Sequence, residues 1–500
     1  LDENDGTPLC PVGVEPPHLV MEDPITDDTQ AFGTRRQRRR LLGWMSETFS
    51  RGSQGALGGT ALATTVGPIT GIAMALRVLF PGAVARSRAA ATTSFLPAPR
   101  THLRHRHRTS HEHPEALEPS VDELAARLLG TLENMGLTKG FAPLVVFLAH
   151  GASSSNNPHR SAYDCGACGG RNGGPNARLF ARTANRADVR EKLAEAGVVI
   201  PSSTHFLGGL HDTTSDAVTL YDCAEVPLSH RAQVVELRAL LEEARAANAQ
   251  ERCRRFASAP RAPSPEQALR HVEERAADMS EARPELGHAT NAACVVGRRS
   301  LTRGLFLDRR CFLVSYSPEE DEDGRVLERV LSAVVPVCGG INLEYYFSRV
   351  DNTRLGAGTK LPHNVTGFIG VMDGPTSDLR TGLPRQMIEV HEPVRLLMVI
   401  EAKAEVVDAI VARNAVIREL IDNEWIRVAV MRPADQGIDV LERDGFEAYL
   451  PSARDTPVVP SFLTTYLGRD GFLDPVLSDS ADPARAPGVR HQKGSASHAA

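Results

Sequence analysis

The hydrophobic positions along the chain switch repeatedly between a helical period and short apolar runs, the pattern of an α/β protein. Ser120-Val121-Asp122-Glu123 has Ser and Glu three apart, the spacing of a capping box. Leu124, Leu128, Leu129, Leu132 and Met135 follow at helical spacing, and Gly136 closes the predicted helix. Residues 144–149, Leu-Val-Val-Phe-Leu-Ala, suit a strand buried on both faces, ending at His150-Gly151. Residues 177–185 and 188–196 predict two short helices, the second stopped by Gly197. Val198-Val199-Ile200 predicts a second short strand, with Thr204, His205, His211 and Asp212 just beyond it. Residues 229–282 predict a charged helical hairpin whose apolar face includes Val234, Leu237 and Leu241. Strands are expected at 291–296 and 312–315, and a helix or strand at 327–334. Residues 395–401, 404–421 and 425–431 read as a β–α–β unit with one amphipathic helix, expected to form a small C-terminal α/β lobe packed against the sheet that bears the candidate site.

The N-terminal part is different. Residues 1–30 are proline-rich and acidic, and an extended chain is expected. Arg35-Arg36-Gln37-Arg38-Arg39-Arg40 reads as a solvated helix start, with attraction to anionic lipid as the alternative. Residues 53–76 carry no charge for 24 residues, enough to cross a bilayer, yet they are rich in Gly and Thr and include Pro68. The expectation there is a buried or partner-facing helix pair; a span and interfacial contact are the other options. Residues 86–118 read as a flexible linker with five histidines, His102, His105, His107, His111 and His113. The organisation predicted is a segment at 1–85, a disordered linker at 86–118, an α/β unit at 119–228 and a helical insertion at 229–282. A C-terminal α/β region at 283–472 and a disordered tail at 473–500 complete it.

Composition adds limits. With 500 residues, 42% of them apolar, the chain can bury large cores over two to four domains. A net charge of −6 argues against nucleic-acid binding. Eight scattered cysteines do not resemble a disulfide scaffold and fit a reducing cytoplasm.

The candidate chemistry lies after residue 149. A histidine at the carboxyl end of a buried strand stands where open α/β sheets bind ligands, and Cys165 and Cys168 follow in a glycine-rich turn. Imidazole and thiolate together suit zinc. Other readings of Cys165-x-x-Cys168 are a thioredoxin-type pair, half a zinc knuckle, and a tight turn with two buried thiols. The glycines at 166, 169, 170, 173 and 174 oppose the helix a redox pair needs, and no second C-x-x-C completes a knuckle. His211-Asp212 suits either a group orienting a metal ligand or a turn cap. Gly356-Ala357-Gly358-Thr359-Lys360 lacks the frame of a phosphate loop.

A long ordered set of motifs resembles the DabA family. It includes His-Gly-x-Ser-x-x-Asn-Asn-Pro from His150, then Ser-Ala-Tyr-Asp-Cys-Gly-Ala-Cys-Gly-Gly through Gly170, and Pro175-Asn176-Ala177-Arg178. It continues with Arg283-Pro284-Glu285, Ser315-Tyr316, Ile341-Asn342-Leu343-Glu344-Tyr345-Tyr346, His363-Asn364-Val365, Asp378-Leu379-Arg380-Thr381-Gly382 and His391-Glu392-Pro393. The resemblance implies a β-carbonic-anhydrase-like open sheet with a zinc site at a strand end. His150 and Cys165 match two ligands, with Asp164, Cys168, His211 and Asp212 as candidates to support them. The family's remaining Cys and Asp ligands stand in a Cys-Ile-Asp-x-Arg-Ser-Glu motif, and no cysteine here has an Asp two residues on. The Asp/Arg catalytic pair is therefore expected upstream of Leu1, in a longer protein of which this chain is a carboxyl-terminal part.

The resemblance further implies Zn2+ as cofactor and CO2 hydration to bicarbonate. It implies a DabB-like, cation-conducting membrane subunit as partner, and a peripheral position on the cytoplasmic face of the membrane. The alternatives are a zinc lyase or hydrolase working alone, and a non-catalytic assembly subunit with structural zinc.

Overall fold

Two helix-and-sheet patterns in the sequence correspond to two compact units in the computed structural model, which describes residues 19–106, 119–153, 172–278, 281, 285–358, 382–450 and 456–479. One unit comprises Leu1–Ala249, Ser264–Glu285 and Asp351–Glu389; the other comprises Gln250–Pro263, Leu286–Val350 and Val390–Ala500.

In the first unit, strand β1 (Leu19–Pro24) is followed by four helices, α1 (Thr29–Ser53), α2 (Ala56–Thr65), α3 (Gly67–Leu79) and α4 (Pro81–Phe95), before β2 (Thr101–Arg106). β1 and β2 pair antiparallel, so the four helices form one excursion closed by a ladder at its foot. Helix α5 (Val121–Asn134) starts at the capping box, Ser120 accepting from Glu123 N at 3.1 Å and Glu123 accepting from Ser120 N at 2.9 Å. Strand β3 (Leu144–Gly151), helices α6 (Gly174–Ala184) and α7 (Ala187–Glu195), strands β4 (His205–Asp212) and β5 (Ala217–Leu220), and helices α8 (Arg231–Cys253) and α9 (Pro265–Ala277) follow. β3 and β4 run parallel and β5 is antiparallel to β4, giving the order β3-β4-β5. The apolar stripe of α5, Leu124, Leu128 and Leu132, buries against Ala181 and Ala184 of α6, Val189 and Leu193 of α7, and Phe206 of β4.

The second unit holds β6 (Ala293–Gly297), β7 (Leu305–Phe306), β8 (Cys311–Ser315), helix α10 (Arg325–Val350), β9 (Leu396–Glu401), β10 (Ile426–Met431), β11 (Ile438–Glu442) and β12 (Gly445–Ala448). Its main sheet has the order β12-β11-β10-β9-β6-β8. β8, β6, β9 and β10 are parallel, while β11 and β12 turn back. Leu327, Leu331 and Val335 of α10 and Val407, Ile410 and Ile417 of the crossover helices cover Leu396, Met398, Ile400 and Val428.

Several expectations change. Residues 198–204 form no strand; the second strand is β4, so His205 begins it and His211-Asp212 end it. Gly208 and Gly209 disguise this strand in the sequence, and packing explains them. A Cβ on Gly208 would lie 2.6 Å from the carbonyl oxygen of Ala177 in α6, so the helix sits directly on the strand backbone. β3 was expected to be buried on both faces, but among the described residues it is an edge strand with Leu148 40% exposed. The predicted linker at 86–118 contains the end of α4 and all of β2, because residues 101–106 pair with β1; His107, His111 and His113 lie outside the described residues. The uncharged stretch is a helix pair, yet neither α2 nor α3 buries a residue. Residues 325–350 are one helix running through Pro336 and Gly339-Gly340, where a Cβ on Gly339 would stand 3.2 Å from Ile426. The single helix expected over 404–421 is two, Ala404–Arg413 and Ala415–Asp422, divided at Asn414, whose side chain caps the second. The C-terminal α/β part is no small lobe: it carries six strands against the three around His150. The expected extension at 1–18 and the tail from 480 lie outside the described residues.

Gly208→Ala should lower the stability of the first unit by about 1–3 kcal/mol, because backbone must move to admit a methyl group. Gly130→Ala on α5, where nothing lies within 4 Å of the new carbon, should raise it by roughly 0.5–1 kcal/mol. Thermal denaturation of the pair measures both signs. In the second unit, His391 is buried and its Nδ1 donates to Ala289 O at 3.1 Å. Burial pushes its pKa down to about 4. The unfolded chain binds this proton first, so the stabilisation is complete above the ordinary imidazole value near 6.5 and is lost as pH falls towards about 4. Urea titrations across that window should show His391→Gln losing less stability on acidification than the natural chain, by up to about 3 kcal/mol.

Candidate metal centre

The site begins with register. β3 and β4 align His150 with His211 and Gly151 with Asp212 at their carboxyl ends. Register partners on parallel strands share a face about 4.8 Å apart, so both imidazoles stand together at the sheet end. His150 is exposed.

The chain leaves this end and returns to it. At departure, Asp212 holds Ser153: Oδ1 accepts from Ser153 N at 2.9 Å and Oδ2 from Ser153 Oγ at 2.5 Å. The same carboxylate takes Thr214 N at 3.2 Å and Ser215 Oγ at 2.7 Å. At return, Gly173 N donates to His150 O at 2.7 Å, and α6 starts at the next residue. A Cβ on Gly173 would lie 2.8 Å from that of Ala149, so glycine alone lets the backbone pass so near the strand end. Both ends of the segment carrying Asp164, Cys165 and Cys168 are thus pinned beside His150. Those three residues lie outside the described residues.

Of the two options for His211 and Asp212, the aspartate is a turn cap and loop anchor. His211 has its own carboxylate: Nε2 lies 3.0 Å from Asp216 Oδ1. An ionised carboxylate only accepts, so Nε2 is the donor in this pair and Nδ1 is not engaged by Asp216. Asp216 sits in the left-handed region at φ 56° and also accepts from Asn248 of α8. Thr213 N donates to Gly151 O at 2.9 Å, and its hydroxyl donates to Glu285. Asp216, Asn248 and Glu285 were not read as site residues; only Glu285 carried a signal, as part of Arg283-Pro284-Glu285. Thr204 and His205 stand at the opposite end of β4 and are not part of the site. Burial, with His230 and Arg190 nearby, holds His205 below the ordinary imidazole range. Among the described residues, no three His, Cys, Asp or Glu side chains come together as a metal-binding group.

Arg178 fixes the helix that follows the loop. Its guanidinium forks onto Asp222 at 2.7 and 2.6 Å and reaches Glu22 of β1 and Thr101 Oγ1 of β2, each at 3.0 Å. It is 7% exposed, and the planar fork satisfies two carboxylates and a hydroxyl at once.

Comparison with known proteins agrees with these motifs. Residues 1–426 match the family model described as "Probable inorganic carbon transporter subunit DabA". A "Probable inorganic carbon transporter subunit DabA 1" of Sorangium cellulosum (strain So ce56) is 53% identical over 492 residues, covering 98% of this chain and 48% of the relative. A DabA protein of Methylococcus capsulatus (strain ATCC 33009 / NCIMB 11132 / Bath) is 47% identical over 483 residues, 95% of this chain and 45% of its own length. A Rhodopirellula baltica relative is 43% identical over 468 residues. The chain spans about half the length of these relatives. With the family model matched over most of its residues and relatives alike along nearly all of it, the chain belongs to the DabA family.

Proposed function

We propose that this chain works as part of an inorganic carbon transporter subunit, in which His150 and Cys165 hold a zinc ion used to hydrate CO2 to bicarbonate. The observation that carries the reading is the closure of the 154–171 segment on His150, through Ser153 at one end and Gly173 at the other. With both flanks anchored at the strand end, the reading requires Cys165 to approach the imidazole from the chain between them. The donor set fits: an exposed imidazole and a thiol suit zinc. A complete site needs two further donors. Bound there, zinc would make a water acidic enough to lose its proton near neutral pH, the nucleophile that CO2 requires.

The chain's own residues do the rest. β3 and its hydrogen bond from Gly173 hold the His150 backbone. Asp212 fixes where the loop departs, and Arg178 fixes the helix on which it ends. His211, oriented by Asp216, offers a basic nitrogen beside the site, suited to passing on the proton that hydration releases. The relatives' names describe a transporter subunit. On that basis we read the chain as acting at the cytoplasmic face of a membrane with a DabB-like cation-conducting partner.

His150→Ala and Cys165→Ala, introduced into the protein as cells produce it, should each remove bound zinc and abolish bicarbonate uptake. Metal analysis of the purified protein and radiolabelled carbon uptake check this; full zinc occupancy in either variant sinks the ligand assignment. Cys168→Ser should retain most of the metal, because that thiol is read as shaping the turn. A loss equal to that of Cys165→Ala would exchange the roles of the two sulfurs.

A further inference from the structure

The four-helix excursion between β1 and β2 has a surface of unusual chemistry. Its foot is firm. Asp28 takes Arg100 N at 2.8 Å and Nε at 3.0 Å, Arg35 donates to Leu96 O at 2.7 Å, and Arg38 donates to Phe95 O at 2.7 Å. α4 rests on α9, with Arg86 3.4 Å from Glu274. Beyond that foot, α1, α2 and α3 bury nothing. Leu57 is 89% exposed, and Ile69, Ile72 and Leu79 are each more than 60% exposed.

Charge divides the arm into zones. Residues 29–96 hold nine arginines against one glutamate, in a chain whose net charge is −6. None of these charges falls between residues 52 and 76. Arginines at 35–40 and at 77–88 bracket the uncharged stretch, and Trp44, Phe49 and Phe80 stand exposed near its borders. A cationic collar with aromatics around an apolar tip complements a layer of anionic headgroups over hydrocarbon.

The threonine hydroxyls of the tip are satisfied within its own helices. Thr60, Thr64, Thr65 and Thr70 donate their hydroxyls to carbonyls of Ala56, Thr60, Ala61 and Gly67 at 2.7–2.9 Å. Across the bend between α2 and α3, Val66 N bonds Leu62 O at 2.9 Å and Thr70 N bonds Val66 O at 3.0 Å. Internal satisfaction of backbone and hydroxyl groups is what hydrocarbon demands and water does not. Together α2 and α3 are long and apolar enough to cross a membrane, but they are bent by 60°. Separately they are about 15 and 20 Å long, short of a ~30 Å hydrocarbon core.

We propose that the α2–α3 tip inserts as a wedge into one leaflet of a bilayer containing anionic phospholipid, with the flanking arginines meeting headgroup phosphates. This anchor is independent of the zinc reading, and its test needs neither metal nor transport.

The test is flotation of the whole chain with vesicles of phosphatidylethanolamine and phosphatidylglycerol, against vesicles of phosphatidylcholine alone. Binding should favour the anionic vesicles at least tenfold and weaken as salt is added. Leu57→Asp and Ile72→Asp should each reduce partitioning roughly tenfold or more, with thermal melting unchanged because neither side chain is packed. Should an added aspartate cause aggregation, the triple change Arg36→Gln, Arg39→Gln, Arg40→Gln tests the collar instead and should flatten the salt dependence. With Trp425→Phe removing the other tryptophan, Trp44 emission should shift to the blue on adding anionic vesicles. No flotation, equal flotation on both lipids, or unchanged partitioning in the variants overturns the proposal. Binding confined to a purified membrane protein in detergent would assign the arm to a protein partner instead.

Discussion

The seat of α6 on β4 is the contact that the first unit cannot lose. Gly208 has no side chain, so the carbonyl of Ala177 reaches the strand backbone directly. That close approach sets the height of α6 above the sheet. It thereby decides where Gly173, at the helix start, meets the carbonyl of His150. It also brings Ala181 and Ala184 down onto Phe206 and lets α5 close the core from the other side. Small residues on one helix face, glycine on one strand and leucines on the covering helix form a single steric arrangement.

The second unit is organised by buried charge as well as by apolar packing. Asp308 is fully enclosed, held by Arg254 and Arg255, and accepts from Leu473 N at 2.9 Å. Its backbone takes the left-handed conformation at φ 51°, which an aspartate tolerates better than most residues. Burial, with Arg254 and Arg310 beside it, draws Arg255 down to about 10, still charged at neutral pH. Its guanidinium covers the Phe472 ring at 4.3 Å and donates to Val390 O at 2.8 Å. Such a cluster adds little net stability over an apolar equivalent, but one misplaced strand would leave a charge stranded. Its contribution is therefore to specificity: segments far apart in sequence, around 254, 308, 390 and 472, must meet in one way.

Much of this was legible where a single period ruled. Helix α5 was readable from its cap and leucine spacing, and the β9–helix–β10 crossover from its alternation of short apolar runs with an amphipathic stretch. β4 was not, because glycines chosen for a close helix contact erase the hydrophobic signature of a strand. Of α10 only 327–334 was read, as a helix or strand, since Pro336 and the Gly339-Gly340 pair are ordinary helix breakers; packing on Ile426 explains Gly339. At the site, His150 was placed at the end of its strand, whereas Asp212 was set beyond a strand at 198–200 and instead ends β4. Asp216 and Asn248 escaped notice because their link to His211 depends on a left-handed turn and on a helix more than thirty residues away.

A peptide whose entry and exit are both clamped behaves as a closed ring hung from the sheet. Once Ser153 and Gly173 are fixed, adding residues between them changes the closure entropy only slightly, about 0.6 kcal/mol for each doubling of length. Between those two clamps, then, chain length is only weakly constrained by closure, and a change in the number of residues there carries little entropic penalty.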